Sequence, residues 1–208
     1  MKKLILFILM FLALINLASA VTVYGVFENG LSSITINRNQ QTYFDSAIFS
    51  NNPPISYNIN MYSNGNLVRT FAQATSNNNL VSDRYTITRN DYQIGGVFII
   101  TINAQDSLND QDSYTLTMNV INNPPILNPI GNMQINEAEL LQFTITATDP
   151  ENDPLTLTAT SLPLDATFTD NQNNTATFSW QTDFNDAGNY NVEFIANDGQ
   201  FTDNEIIT

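Results

Sequence analysis

Five consecutive residues of this chain, Asp149-Pro150-Glu151-Asn152-Asp153, are spaced as ligands for a hard cation. Acidic side chains recur at i, i+2 and i+4, and Pro150 and Pro154 restrict the backbone, so the oxygens of Asp149, Glu151 and Asp153 can converge at small ordering cost. Ca2+ takes about six to eight oxygen ligands at roughly 2.3–2.6 Å, from carboxylates, amide carbonyls and water. The other reading of the segment is a solvated turn, because Asp, Asn and Pro are ordinary turn residues. Charge elsewhere bears on the choice. No Lys or Arg follows Arg89, whereas seventeen acidic residues do, thirteen of them beyond residue 122. Carboxylates crowded without basic partners repel one another, and a bound divalent cation offsets that repulsion.

The remaining composition excludes more than it suggests. Cysteine is absent, which removes disulfides, thiolate zinc sites and a cysteine nucleophile; histidine is absent too, and with it the commonest general base and transition-metal ligand. Both lysines lie at positions 2 and 3, so the chain from Val21 carries four arginines against 20 acids, a formal net charge of −16. Such a balance argues against nucleic acid and against anionic membrane surfaces as partners. No catalytic residue is assigned: paired carboxylates are plentiful, but nothing marks one as buried and proton-bearing, and no nucleophile–base pair through His, Cys or Lys is available.

Residues 1–20 read as a secretory signal peptide. Lys2 and Lys3 precede a largely apolar run from Leu4 to Leu17, followed by Ala18-Ser19-Ala20 before Val21. The run is short of the about 20 residues that a membrane span needs. A secreted or cell-surface location follows from this reading.

The segments that must position the acidic loop are strands. Phe143, Ile145 and Ala147 alternate with polar residues; so do Leu155, Leu157 and Ala159; Ala176, Phe178 and Trp180; and Tyr190, Val192, Phe194 and Ala196. Period-two runs between turn residues are the pattern of half-buried strands. In the first half Ile55, Tyr57, Ile59 and Met61 alternate likewise, and Asn64-Gly65 marks a hairpin before a return from Leu67 to Ala72. No helical period is found after residue 20. Asn122-Asn123-Pro124-Pro125 makes a stiff extended connector, so the chain divides into residues 21–121 and 122–208. The halves also repeat. Gly96, Phe98, Ile100, Ile102, Ala104 and Asp106 match Gly188, Tyr190, Val192, Phe194, Ala196 and Asp198, and one inserted residue later Leu108 and Asp110 match Phe201 and Asp203. A repeat of about 90 residues of short strands fits two tandem β-sandwich modules of immunoglobulin type, an all-β fold.

Asp186-Ala187-Gly188-Asn189-Tyr190-Asn191-Val192 resembles the tyrosine corner of immunoglobulin-like domains. Residues 123–208 as a whole are similar to the cadherin-like and immunoglobulin-like repeats of bacterial and archaeal surface proteins. The resemblance is carried by Asn123-Pro124-Pro125, Ile130-Gly131-Asn132, Asn136-Glu137-Ala138-Glu139, the run from Ala147 to Pro154, Phe178-Ser179-Trp180 and Ala196-Asn197-Asp198-Gly199. It implies calcium where successive modules meet, with Asp149, Glu151 and Asp198 as ligands from the second module. Asn122 and Asn123 would contribute from the linker and Glu28 and Asp91 from the first module, while Glu137 and Asp183 would face a third. The family's linker Asp is Asn122 here, and the Glu expected two residues after Asp91 is Gln93, so the resemblance implies one ion held mainly by the second module.

Other residues have plainer readings. Trp180 and Phe178 share a strand face and read as core, and Tyr190 as a fold residue whose hydroxyl bonds nearby backbone. Tyr62 is expected opposite Leu67, and Asn58 opposite Phe71, on one polar face of a hairpin. Asn173-Asn174-Thr175 is a glycosylation sequon on a polar turn. The run Glu205-Ile206-Ile207-Thr208 reads as the beginning of a longer last strand, by comparison with the stretch from Asp112 to Val120. Two functions remain open: a non-catalytic structural or adhesive module pair of a secreted or surface protein, stiffened by calcium at or near the module junction, or a module that binds a glycan or a cell-surface protein and is attached to a larger secreted enzyme or surface protein.

Overall fold

The computed structural model describes residues 21–28, 30–92 and 94–208, so the signal peptide read in residues 1–20 lies outside the described residues. The chain forms two compact units. One holds the chain up to Ile36 with Gln41–Asp91 and Val97–Asn119; the other holds Asn37–Gln40, Tyr92–Gly96 and Val120–Thr208.

In the first unit, β1 (Thr22–Phe27), β3 (Thr42–Phe49) and β6 (Leu80–Ile87) form one antiparallel sheet in the order β1-β3-β6. The second sheet has the order β2-β8-β7-β4-β5, from β2 (Ser33–Asn37), β4 (Ile55–Ser63), β5 (Asn66–Ser76), β7 (Gly96–Gln105) and β8 (Gln111–Ile121). Strict alternation places Ile55, Ile59 and Met61 of β4, and Ile100 and Ile102 of β7, at full burial against Phe44 and Ile48 of the other sheet. Each such side chain contributes about 1.5–3 kcal/mol by leaving water. The layers are close at Gly25, where a Cβ would stand 2.7 Å from Cδ1 of Ile102, so a larger residue would displace that side chain. The hairpin from β4 to β5 turns at Asn64 and Gly65, both with positive φ, and pairs Ser63 with Asn66 and Tyr62 with Leu67.

The return strand departs from the expected register. It shifts by one residue between Met61 and Tyr62 and by one more between Ile59 and Asn60, so that Asn58 faces Gln73 rather than Phe71. A bulge of this kind re-aims a side chain. Phe71 packs edge-on against Phe44 at 5.2 Å and against Tyr85 at 5.8 Å. Burial pushes the Tyr85 phenol up to about 12. Tyr62 and Phe71 therefore make no shared aromatic patch.

In the second unit, β9 (Ile126–Leu127), β10 (Leu140–Thr148), β12 (Thr167–Asp170) and β13 (Thr175–Gln181) form the sheet β12-β13-β10-β9. The facing sheet, β11-β14-β15, is built from β11 (Thr156–Thr160), β14 (Val192–Asn197) and β15 (Thr202–Ile207). Ile145, Phe178 and Trp180 from one sheet meet Leu157, Phe194 and Ile207 from the other. Phe178 stacks on Phe143 at 5.0 Å and meets Phe194 edge-on at 5.9 Å. Tyr190 donates its hydroxyl to the Asp186 carbonyl at 3.2 Å, closing the corner motif. Among the described residues no α-helix occurs; Arg89–Asp91 makes a single 3-10 turn, and no helix is long and apolar enough to cross a membrane.

Candidate metal centre

The alternation that builds the second core continues past the ends of its strands, and there the inward positions become carboxylates. In β10, Ile145 and Ala147 point inward; the next inward position, one residue beyond Thr148, is Asp149. In β14, Val192, Phe194 and Ala196 point inward, and the next such position is Asp198. Both are buried, as are Glu151 and Asp153 on the loop after β10.

That loop folds around its own first residue. Asp149 Oδ1 accepts from the amides of Glu151 and Asp153, each at 2.9 Å, and Asn152 takes a positive φ that only short polar residues and glycine adopt readily. The turn buries Asp153 to 1% exposure and leads into Leu155 and β11. Asp198 is held from two sides: its Oδ1 accepts from the amides of Gln200 and Phe201, both at 2.6 Å, and its Oδ2 from Asn122 Nδ2 at 2.8 Å. Burial opposes the ionisation of Asp198. The amides of Phe201 and Gln200, the Asn122 side chain and the Arg38 charge together outweigh it and hold the carboxyl below its ordinary range.

Asp149, Asp153 and Asp198 bring one carboxylate oxygen each to within 4.8 Å of one another, a spacing at which three ligands of one ion stand. Asp149 Oδ2 is buried and accepts no hydrogen bond, which leaves one carboxylate oxygen of this group without a protein donor. The cluster can hold a metal ion.

One basic group is already there. Arg38, counted with the second unit, lies 2.8 Å from Asp153 Oδ2 and 3.8 Å from Asp198 Oδ2, and its Nη1 also donates to the Asp198 carbonyl at 3.1 Å and to Asn122 Oδ1 at 3.3 Å. One guanidinium thus meets two of the three buried carboxylates, and the formal charge of the group is negative. Arg38 was not legible as a site residue. It stands 115 and 160 positions from its acidic partners, in an Asn37-Arg38-Asn39 turn with no local mark; its one signal is that basic residues are so few.

The other expected ligands are placed differently. The Glu151 carboxylate is taken up by Asn123, accepting from its amide at 3.0 Å and from its Nδ2 at 2.7 Å, while the Glu151 carbonyl accepts from Asn39. Glu151 and Asn123 therefore fasten each other beside the triad. Asn122 supplies an amide oxygen to Arg38 and an amide nitrogen to Asp198. In the first unit, Glu28 accepts from Thr42 Oγ1 at 3.0 Å, and Asp91 is paired with Arg69 at 2.6 Å and capped by the Thr88 amide at 2.8 Å.

Residues 122–208 match the model of a family described as the bacterial Ig domain. No curated protein matches the chain. Among solved structures, an immunoglobulin tandem of titin is similar at 10% identity, covering 91% of this chain and 95% of that one, with a TM-score of 0.35. The CARDB domain of a Pyrococcus furiosus protein in complex with di-metal ions is similar at 12% identity over 50% of this chain and 89% of that one, TM-score 0.36. An endo-fucoidan hydrolase of glycoside hydrolase family 107 is similar at 17% identity over 88% of this chain and 28% of that one, TM-score 0.36.

Proposed function

Taking residues 122–208 as a bacterial Ig domain, we propose that this chain is a non-catalytic structural or adhesive part of a secreted or cell-surface protein, and that calcium held by Asp149, Asp153 and Asp198 stiffens its second unit. The observation that carries the reading is the buried triad: three carboxylates whose oxygens lie within 4.8 Å, one of them without a donor, against one arginine. Buried like charges are costly, and a divalent ion removes that cost while gaining ligands already in place. Asn122 and the Asp198 carbonyl are further oxygen donors beside the triad, and water completes a hard-cation shell. Asn122 and Asn123 belong to the same unit, so an ion that orders Asp198 and the 149–153 loop also orders the connector that binds them. With no His or Cys anywhere and no Lys beyond residue 3, acid–base work falls to carboxylates, and those of the triad are engaged with one another and with Arg38.

Thermal unfolding of the protein in EDTA, then in millimolar Ca2+ or Mg2+, tests the proposal. Ca2+ at about 100 times Kd adds roughly 2.7 kcal/mol and raises Tm by several degrees. An equal response to Mg2+ removes calcium from the reading, and no response to either ion removes the metal.

A further inference from the structure

The larger sheet of the first unit turns an uncharged face away from its core. In β4 the buried Ile55, Ile59 and Met61 alternate with Ser56, Asn58 and Asn60; in β7 the buried Ile100, Ile102 and Ala104 alternate with Thr101, Asn103 and Gln105. All six outward residues are neutral amides or hydroxyls, in a chain that holds 20 acids. Pairing sets them in rows across the strands. Asn58 stands opposite Asn103 on one side and Gln73 of β5 on the other, and Ser56 stands opposite Gln105 and Thr75.

These rows floor a groove of about 910 Å3, with Gln73 and Thr75 of β5 along one wall and Gln111 and Ser113 of β8 along the other. Asn58 and Asn103 in the floor are half-buried, and the wall residues are exposed. The floor is fixed by its own bonds. Asn58 Oδ1 accepts from Asn103 Nδ2 at 3.0 Å and from Asn60 Nδ2 at 3.3 Å, and Thr70 Oγ1 donates to Asn60 Oδ1 at 2.8 Å. That arrangement leaves Asn58 Nδ2 and Asn103 Oδ1, a donor and an acceptor on adjacent strands, without a protein partner among the described residues. The side-chain amides of Gln73 and Gln111 are unengaged in the same sense.

The lining narrows what can occupy the groove. Its one carboxylate, Asp112, has both oxygens taken, by the amides of Val23 and Ser113 at 2.8 Å each, and no Lys or Arg lines it. An ionic ligand therefore finds no counter-charge. The apolar members are Ala74, Ala104 and Tyr57, none of them a large exposed hydrophobe of the kind that anchors a protein partner. What fits is a neutral ligand rich in groups that both donate and accept. Hydroxyls do both at one atom, and a carboxamide offers a donor and an acceptor side by side. Side chains already held in place lose little freedom on binding.

From the uncharged floor, the groove and the unengaged amides together, we propose that this face binds a neutral polysaccharide, its chain lying between β5 and β8 with hydroxyls on Asn58, Asn103, Gln73 and Gln111. The site and the acidic triad belong to different units, and neither reading rests on the other.

Affinity electrophoresis of the protein tests the proposal, in native gels holding laminarin, galactomannan or xyloglucan, with polygalacturonate as the anionic control. At least one neutral polysaccharide is expected to retard migration, and polygalacturonate to leave it unchanged. Retardation is expected to be equal in EDTA and in Ca2+, which separates this site from the metal. It is also expected to be equal in about 0.05 and 0.5 M NaCl, since no ion pair is there to be screened. Asn58→Asp keeps the oxygen that Asn103 and Asn60 use and removes the free donor, so binding weakens about fivefold, the worth of about one net hydrogen bond. Gln73→Ala with Gln111→Ala alters exposed side chains only and is expected to weaken binding further, with the unfolding midpoint unchanged. No retardation in any neutral gel overturns the proposal, and so does retardation that high salt abolishes. Equal retardation of both variants overturns the site. A dimer in sedimentation, without retardation, assigns the amide face to a second copy instead and overturns the polysaccharide.

Discussion

The same two positions end the core in both units, and they are filled differently. In the first unit the inward row of β3 runs Phe44, Ser46, Ile48 and then Ser50, and that of β7 runs Ile100, Ile102, Ala104 and then Asp106. Ser50 donates to Asp106 Oδ2 at 2.8 Å, Asn52 adds a second side-chain donor at 3.4 Å, and the amides of Leu108 and Asp110 close the remaining oxygen at 2.9 and 3.1 Å. Burial opposes the charge on Asp106, yet those four donors outweigh it and keep the carboxyl below its ordinary range. In the second unit Asp149 stands one residue beyond β10 as Ser50 does beyond β3, so that Glu151 falls at the place of Asn52 and Asp153 at that of Pro54, and Asp198 stands in for Asp106. One end is neutralised by hydroxyl and amide donors. Its counterpart gathers carboxylates and needs positive charge. Comparable places at the ends of two sandwich cores thus carry two electrostatic solutions, set by the side chains that stand there.

The largest expected effect comes from removing the one positive charge the second unit supplies for itself. Arg38→Met leaves Asp153 and Asp198 buried without a cation, and breaking one side of a buried pair costs about 3–5 kcal/mol. Urea unfolding in EDTA measures it, and Ca2+ is expected to recover part of the loss. A loss no larger than that of a surface pair, about 1 kcal/mol or less, would show that Arg38 is not the counter-charge.

Next in size is Asp149→Asn. The substituted amide keeps an oxygen for the Glu151 and Asp153 amides and removes one charge. In Ca2+ the roughly 2.7 kcal/mol of ligand stabilisation should disappear. In EDTA stability should be unchanged or raised. Scanning calorimetry with and without the ion separates the two.

Ser50→Asp carries the comparison the other way, installing in the first unit the carboxylate that the second unit has. It removes a donor from Asp106 and sets a like charge beside it, so the first unit should lose stability in EDTA. If the second unit's solution is transferable, Ca2+ should then protect it.

The smallest effect is that of pH. Asp106 and Asp198 have folded-state values below their unfolded ones, so their contribution is fully present above about pH 4 and is lost as pH falls through the folded values. With no histidine in the chain, denaturation midpoints should be flat between about pH 5 and 8. A transition near neutrality would contradict this.

Much of the fold was legible because strand alternation is a local signal: the rows of β10, β13 and β14, the Asn64-Gly65 hairpin and the tyrosine corner all lie within a few residues of chain. The gathering of Asp149 with Asp153 was local in the same sense, and Asp198 came from resemblance. What could not be read was non-local or a matter of register. Arg38 meets its acids across more than a hundred residues, and the bulge at Ile59 and Asn60 that turns Phe71 onto Phe44 leaves no trace in period-two patterning. Nor did the spacing of Glu151 distinguish an ion ligand from a carboxylate fastened to Asn123; that depended on where the connector came to lie.

The inward row that outruns its strand also separates two kinds of change. Substitutions at Ser50 or Asp149 touch neither the apolar interior nor the ladder, so the response of a unit to its ionic surroundings can drift while its architecture stands still. A string of such units can then mix members that ignore divalent salt with members that soften when it is withdrawn. Compliance would be graded along the string by single residues at strand ends rather than by new folds.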